Sequence, residues 1–215
     1  MAKGKLSLFK IGLKTQALFY LLPLAVFLLA VLPVESMVNP HEFLAMFAFW
    51  FIVFPAAALM QPIGSLEQQE LFISFPISPW KMAIFYPLLM DVVYGGLFEL
   101  VLSISGKTIG GAILVQTQIR ASFSAIIFLF FLTIMLISLF KNSAVGLCLS
   151  IFYVLFGMFT GGAGQGPFYL LQWFRPRAES GAADYVLDQY SGAAFLCLLT
   201  FLLVKYRERF YLLKL

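Results

Sequence analysis

The chain has 215 residues, of which 62% are hydrophobic and only 11% charged, and 25 are Phe. Soluble domains run near half apolar and a quarter charged, so this much apolar surface excludes a water-soluble globule and with it a soluble enzyme. The formal net charge of +4 gathers at the two ends, which for a chain of this kind bears on membrane orientation and anionic lipid and carries no nucleic-acid signal.

The apolar residues fall in long blocks separated by short polar stretches. A bilayer core about 30 Å thick is crossed by roughly 20 such residues in a helix. Continuous apolar blocks satisfy their backbone groups as helices, whereas barrel strands would alternate in polarity. The expected fold is an all-α integral membrane protein, one transmembrane domain over 1–215 with six spans at 17–34, 43–60, 82–104, 121–140, 144–160 and 190–206.

In chain order, residues 1–16 carry Lys3, Lys5, Lys10 and Lys14, with Leu6, Phe9 and Leu13 at helical spacing among them. That pattern predicts a short helix lying in the membrane interface, the plainer alternative being a frayed basic tail. The apolar run that follows is longer than a signal-peptide core and lacks an A-x-A site, so it is read as a retained first span. Prolines 23, 33, 55 and 87 are read as tolerated span kinks. His41-Glu42 would open a zinc-protease helix only with a histidine at position 45, which is Ala45, and His41 is the chain's one histidine. No metal site is expected.

The connection at 62–81 is the most informative stretch. Ser65 and Gln68 form a capping box, Glu67 and Glu70 lie where the helix dipole favours acids, and Pro76 and Pro79 stop the helix. Leu71, Phe72 and Phe75 share one face and Glu67, Glu70 and Ser74 another, a short amphipathic helix able to rest on the membrane and offer acidic groups to the cytoplasm. Lipid packing alone would also account for it.

Asp91 and Glu99 fall on one stripe of the third span, with Gly95 between them. An ionisable side chain at that depth costs about 2.5–3.5 kcal/mol on insertion scales and normally faces a partner or a wet cavity. Two readings stand side by side: a polar lining that favours a cationic or amphipathic cargo, or a structural role, either a hydrogen bond to Ser, Thr or Tyr of a neighbouring helix or a third span that starts later than drawn and leaves Asp91 nearer the cytoplasm. Gly106-Lys107-Thr108 resembles the end of a phosphate loop, but the motif needs glycine at position 101, which is Val101. Cys148 and Cys197 lie inside apolar blocks and read as small hydrophobes.

Gly157 and Gly161 stand in G-x-x-x-G spacing, which serves a subunit interface or close packing within one bundle. The glycine-rich run 161–166 reads as a break after the fifth span, opening an extracellular loop over 161–189 with short helices. The sixth span is the weakest, since its apolar centre, 192–204, is short and needs Tyr190 and Tyr206 as interfacial anchors with Lys205 snorkelling outward, and a five-span protein is the alternative. A six-span count places ten Lys and Arg residues on one side (Lys3, Lys5, Lys10, Lys14, Lys81, Lys141, Lys205, Arg207, Arg209, Lys214) and four on the other (Lys107, Arg120, Arg175, Arg177). Both termini are therefore expected in the cytoplasm, and His41 and Trp173 outside.

Residues 70–78, Glu-Leu-Phe-Ile-Ser-Phe-Pro-Ile-Ser, run as an acid, apolar residues, Pro, an aliphatic residue and Ser. In this order and spacing the chain resembles the permease subunits of type-2 ATP-binding cassette exporters. Residues 166–174 are similar to the short helices that dip into the outer leaflet in that family. Gln68 and Gln69 stand where basic residues are common, and the family's Gly-Thr pair is missing.

The resemblance implies six spans, an N-terminal interfacial helix and a cytoplasmic coupling helix seated in a separate ATPase subunit, with Glu67, Glu70, Phe72, Phe75, Pro76 and Ser78 as coupling residues. It also implies a plasma-membrane location and a homo- or heterodimer of permease subunits around the route. ATP and Mg would be bound by the ATPase and none in this chain. Asp91, Gly95 and Glu99 are the candidate substrate pathway, and a hydrophobic or amphipathic peptide is the expected cargo. A non-transporting immunity or sensor protein is the alternative. An intramembrane enzyme would need a catalytic constellation for which Asp91 and Glu99 are the only candidates.

Overall fold

The structure, a computed structural model, describes residues 16–31, 49–64, 78–109, 112–174 and 182–206. All elements among them are helical. They are α1 (Ala17–Val31), a 3-10 turn (Phe49–Ile52) leading into α2 (Val53–Gly64), a π-helical turn (Lys81–Phe85) continuing into α3 (Tyr86–Ile109), α4 (Ala112–Phe140), α5 (Ser143–Thr160), a 3-10 turn (Gly166–Phe168) and α6 (Ala182–Lys205).

Four segments are long and apolar enough to cross a membrane: Lys81–Ile104, Gln118–Phe140, Ser143–Thr160 and Tyr185–Lys205. The first two helices are apolar but shorter. With 15 residues, α1 rises only about 22 Å at 1.5 Å per residue. Residues 32–48, where the rest of the first span and the start of the second were expected, lie outside the described residues, as do 1–15.

Several boundaries differ from the sequence reading. The last span, expected to be the weakest, is a full helix of 24 residues beginning at Ala182, so residues 182–189 belong to it and not to an outer loop. Helix α3 runs on to Ile109 and α4 begins at Ala112, so residues 106–108 are helical. The second helix continues through Pro62 to Gly64, three residues into the stretch assigned to the coupling loop. The π turn has a local cause in Pro87, which has no N–H to give the carbonyl of Ala83 and whose ring would crowd it in an α-helix. The wider turn, in which the Tyr86 N–H bonds the Lys81 carbonyl, relieves that crowding.

Helix α4 is the hub. It packs against α6, α5, α2 and α3, while α1 packs against α2 and α3. Its Thr133 and Ser138 hydroxyls donate to the carbonyls of Leu129 and Ile134 one turn back, so they cross the apolar interior without an unpaired donor. Between α5 and α6 the chain turns back into the bundle. Gly161 takes a left-handed conformation at φ 59° and its N–H bonds the Gly157 carbonyl, the glycine-dependent helix stop.

Candidate functional site

The inward face of α3 is set by its period. Asp91, Tyr94, Phe98, Glu99 and Leu102 are buried, while Val92, Val93, Leu97 and Leu100 on the opposite side are exposed, the surface a spanning helix offers to lipid. Asp91 is 1% exposed and Glu99 9%. Asp91 is the eleventh residue of the apolar segment that begins at Lys81, about 15 Å along its axis.

The two carboxyls differ in their surroundings. Ser122 on α4 donates its hydroxyl to Glu99 Oε1 at 2.6 Å, the structural hydrogen bond that was one of the two readings of the stripe. Neither oxygen of Asp91 has a hydrogen-bond partner among the described residues. Tyr190 of α6 lies within electrostatic reach of both carboxyls. Gly95 does not open a space between them: a Cβ there would lie 3.0 Å from the Phe123 ring and 3.3 Å from Ile126. The room that Gly95 leaves is taken by α4.

Tyr94, one turn from Asp91, donates its hydroxyl to the Tyr20 carbonyl at 2.9 Å and ties α3 to α1. Of the expected coupling residues, Glu67, Glu70, Phe72, Phe75 and Pro76 lie outside the described residues. Ser78 is exposed at the head of the third span, where its carbonyl accepts from the N–H groups of Lys81 and Met82.

The segment after Gly166 is built into the bundle. Its one described helical element is the three-residue turn Gly166–Phe168, in place of the expected short helices. Tyr169, Leu170, Leu171, Gln172 and Trp173 are all buried. The Trp173 ring lies 6.3 Å from Phe49 and 5.9 Å, edge-on, from Phe98, joining the turn before α2 to α3.

Gln189 on α6 pins the segment. It is 0% exposed, donates to the carbonyls of Pro167 and Tyr169 at 3.1 and 3.2 Å, and accepts from Ser124 of α4 at 2.6 Å. Below it, Tyr153 donates to the Phe168 carbonyl, and Gln165 donates to the Tyr153 carbonyl. Gly157 belongs to the same cluster. A Cβ there would collide with the Gln165 side chain, so the G-x-x-x-G pair serves packing within the chain and a helix stop.

Sequence reasoning singled out neither Gln189 nor the serines that meet it and Glu99. The available signal was a polar side chain flanking an apolar block, which costs free energy unless something bonds it. Among the described residues, no three His, Cys, Asp or Glu side chains come together closely enough to hold a metal ion. No protein-family model, curated protein or solved structure matches this chain.

Proposed function

We propose that the chain is the membrane-spanning permease subunit of an ATP-driven exporter of the type-2 ATP-binding cassette kind. The observation that carries this reading is the string Glu70 to Ser78, placed between the second and third apolar helices where that family couples to its ATPase. Helical, apolar architecture in the described residues is compatible with it. So is a polar stripe facing the interior of the bundle, since a transport route needs groups that lipid would reject.

In this reading the chain has six spans, an interfacial helix at 1–16, both termini in the cytoplasm and a plasma-membrane location. Two permease subunits flank the route, and separate ATPase subunits bind ATP and Mg and seat on the helix that carries Glu67 and Glu70. Asp91, Gly95 and Glu99 line the part of the route that selects cargo, with a hydrophobic or amphipathic peptide as the class that suits an acidic stripe among aromatic walls.

The test is copurification from native membranes with an ATP-hydrolysing subunit, repeated with Glu70→Lys. Charge reversal on the docking face should release the ATPase while the permease stays folded in the membrane. Absence of any ATPase partner for the unaltered chain, or undiminished association in Glu70→Lys, would overturn the assignment.

A further inference from the structure

Asp91 presents a chemical problem that the packing of the described residues does not solve. A carboxylate taken out of water must be matched by a cation or by several donors, and where it has neither it gives up its charge by binding a proton. Asp91 is almost wholly buried at the middle of the third span, and neither of its oxygens meets a donor among the described residues.

Among the described residues, the surrounding elements place no cation beside Asp91. On its own helix and the π turn before it, the titratable groups are Lys81, Tyr86, Tyr94, Glu99 and Lys107. Lys81 lies ten residues away toward one end, about 15 Å along the axis, and Lys107 sixteen residues away toward the other, about 24 Å. From α4 the only described titratable side chain toward the outer end is Arg120, which is exposed, and Lys141 follows the far end of the helix. From α1 there is Tyr20, whose carbonyl holds the Tyr94 hydroxyl. The described part of α2 and its preceding turn has no charged side chain. From α6, Tyr190 lies in electrostatic reach, while Lys205 sits over the rings of Phe201 and Tyr206 at the opposite end. Glu99 is a second acid about 12 Å along the same stripe, which adds to the cost of a charge on Asp91.

We propose that Asp91 is a proton-binding site inside the membrane, held as the uncharged carboxylic acid in the packed bundle and open to modification by hydrophobic carbodiimides. The chemistry is self-contained. The acid proton passes to one carbodiimide nitrogen while the carboxyl oxygen bonds the central carbon, giving an O-acylisourea. An oxygen-to-nitrogen acyl shift then yields a stable N-acylurea in which every atom of both reactants is retained. An ionised carboxylate lacks the proton that starts the sequence, and a reagent that partitions into lipid reaches Asp91, which faces the interior of the bundle, from the membrane side when the helices transiently part. The inference stands apart from the export reading, because it concerns the state of one side chain in the folded chain.

The full-length protein in lipid nanodiscs is treated with dicyclohexylcarbodiimide from mildly acidic to mildly alkaline pH, and the adduct is located by peptide mass spectrometry. A water-soluble carbodiimide serves as the parallel reagent. The expected result is an adduct on Asp91 with the hydrophobic reagent alone, its yield falling as pH rises, lost in Asp91→Asn and retained in Glu99→Gln. Infrared spectra give a second readout that needs no chemical access: the carbonyl stretch of a protonated carboxylic acid in Glu99→Gln protein, missing from the Glu99→Gln/Asp91→Asn pair. An Asp91 that shows no protonated-acid band at any of these pH values is ionised and the proposal fails, and a band with no adduct overturns its accessibility to the reagent. Equal labelling by the water-soluble reagent would also overturn it, by showing that Asp91 faces water.

Discussion

The contact most open to a decisive perturbation is Gln189. Replacing it by Leu keeps the volume but removes the amide that donates to Pro167 and Tyr169 and accepts from Ser124. Ser124 retains the Ala121 carbonyl at 2.8 Å and the Tyr169 carbonyl keeps the Gln172 N–H at 3.4 Å, so the loss falls chiefly on the Pro167 carbonyl. A buried acceptor left without a donor costs about 1–3 kcal/mol. Side-chain hydrogen bonds within membrane bundles average nearer about 0.6 kcal/mol, because freed groups find other partners. For the stripped Pro167 carbonyl and the weakened Tyr169 carbonyl, about 1–3 kcal/mol is expected. At about 1.4 kcal/mol per tenfold, the open population of the segment should rise roughly 5- to 140-fold. Reversible unfolding in bicelles reads the global term. The local term is read by maleimide labelling of Leu171→Cys, a buried position, with Cys148 and Cys197 replaced by Ala. Unchanged stability together with unchanged labelling would refute the idea that Gln189 holds the segment in place.

Gly95→Leu should force the Phe123 ring and Ile126 away from α3, an overpacking cost of about 1–3 kcal/mol that thermal unfolding in detergent measures. Ser122→Ala should destabilise the bundle by about 1 kcal/mol by leaving Glu99 Oε1 without its donor, while Ser122→Thr, which keeps the hydroxyl, should recover most of the loss.

The helices themselves were legible because a block of about 20 apolar residues has few alternatives in a bilayer. Their ends were not. Hydropathy marks where apolar composition stops, whereas α3 remains helical past Lys107 to Ile109 and α4 is helical from Ala112 through Gln116. The sixth span looked short for a related reason. Asp188 and Gln189 fell in the expected outer loop and Ser191 outside the apolar centre 192–204, yet the Gln189 amide is satisfied by α4 and the inserted segment, and the Ser191 hydroxyl by the Asp188 carbonyl. No sum over one segment registers a polar side chain whose partners come from two others. The insertion of 169–173 was hidden likewise. Its composition suits an outer-leaflet surface as well as a core, and only contact with Phe49 and Phe98 distinguishes the two.

The acidic stripe divides along the same line. Spacing alone places Asp91, Gly95 and Glu99 on one face, and on that face they look equivalent as the lining of a route. Packing separates them: Glu99 is bonded to α4, the room beside Gly95 is filled by Phe123 and Ile126 of α4, and Asp91 is buried without a donor among the described residues. Passage of any molecule along the stripe therefore requires α3 to part from α4. That separation would break the Ser122 bond and expose the Phe123 contact at Gly95. It would also bring water to Asp91, and solvation is what permits a carboxyl to ionise. In the export reading, opening the stripe and charging Asp91 would be one event, with α4, which packs against α2, α3, α5 and α6, as the element that moves.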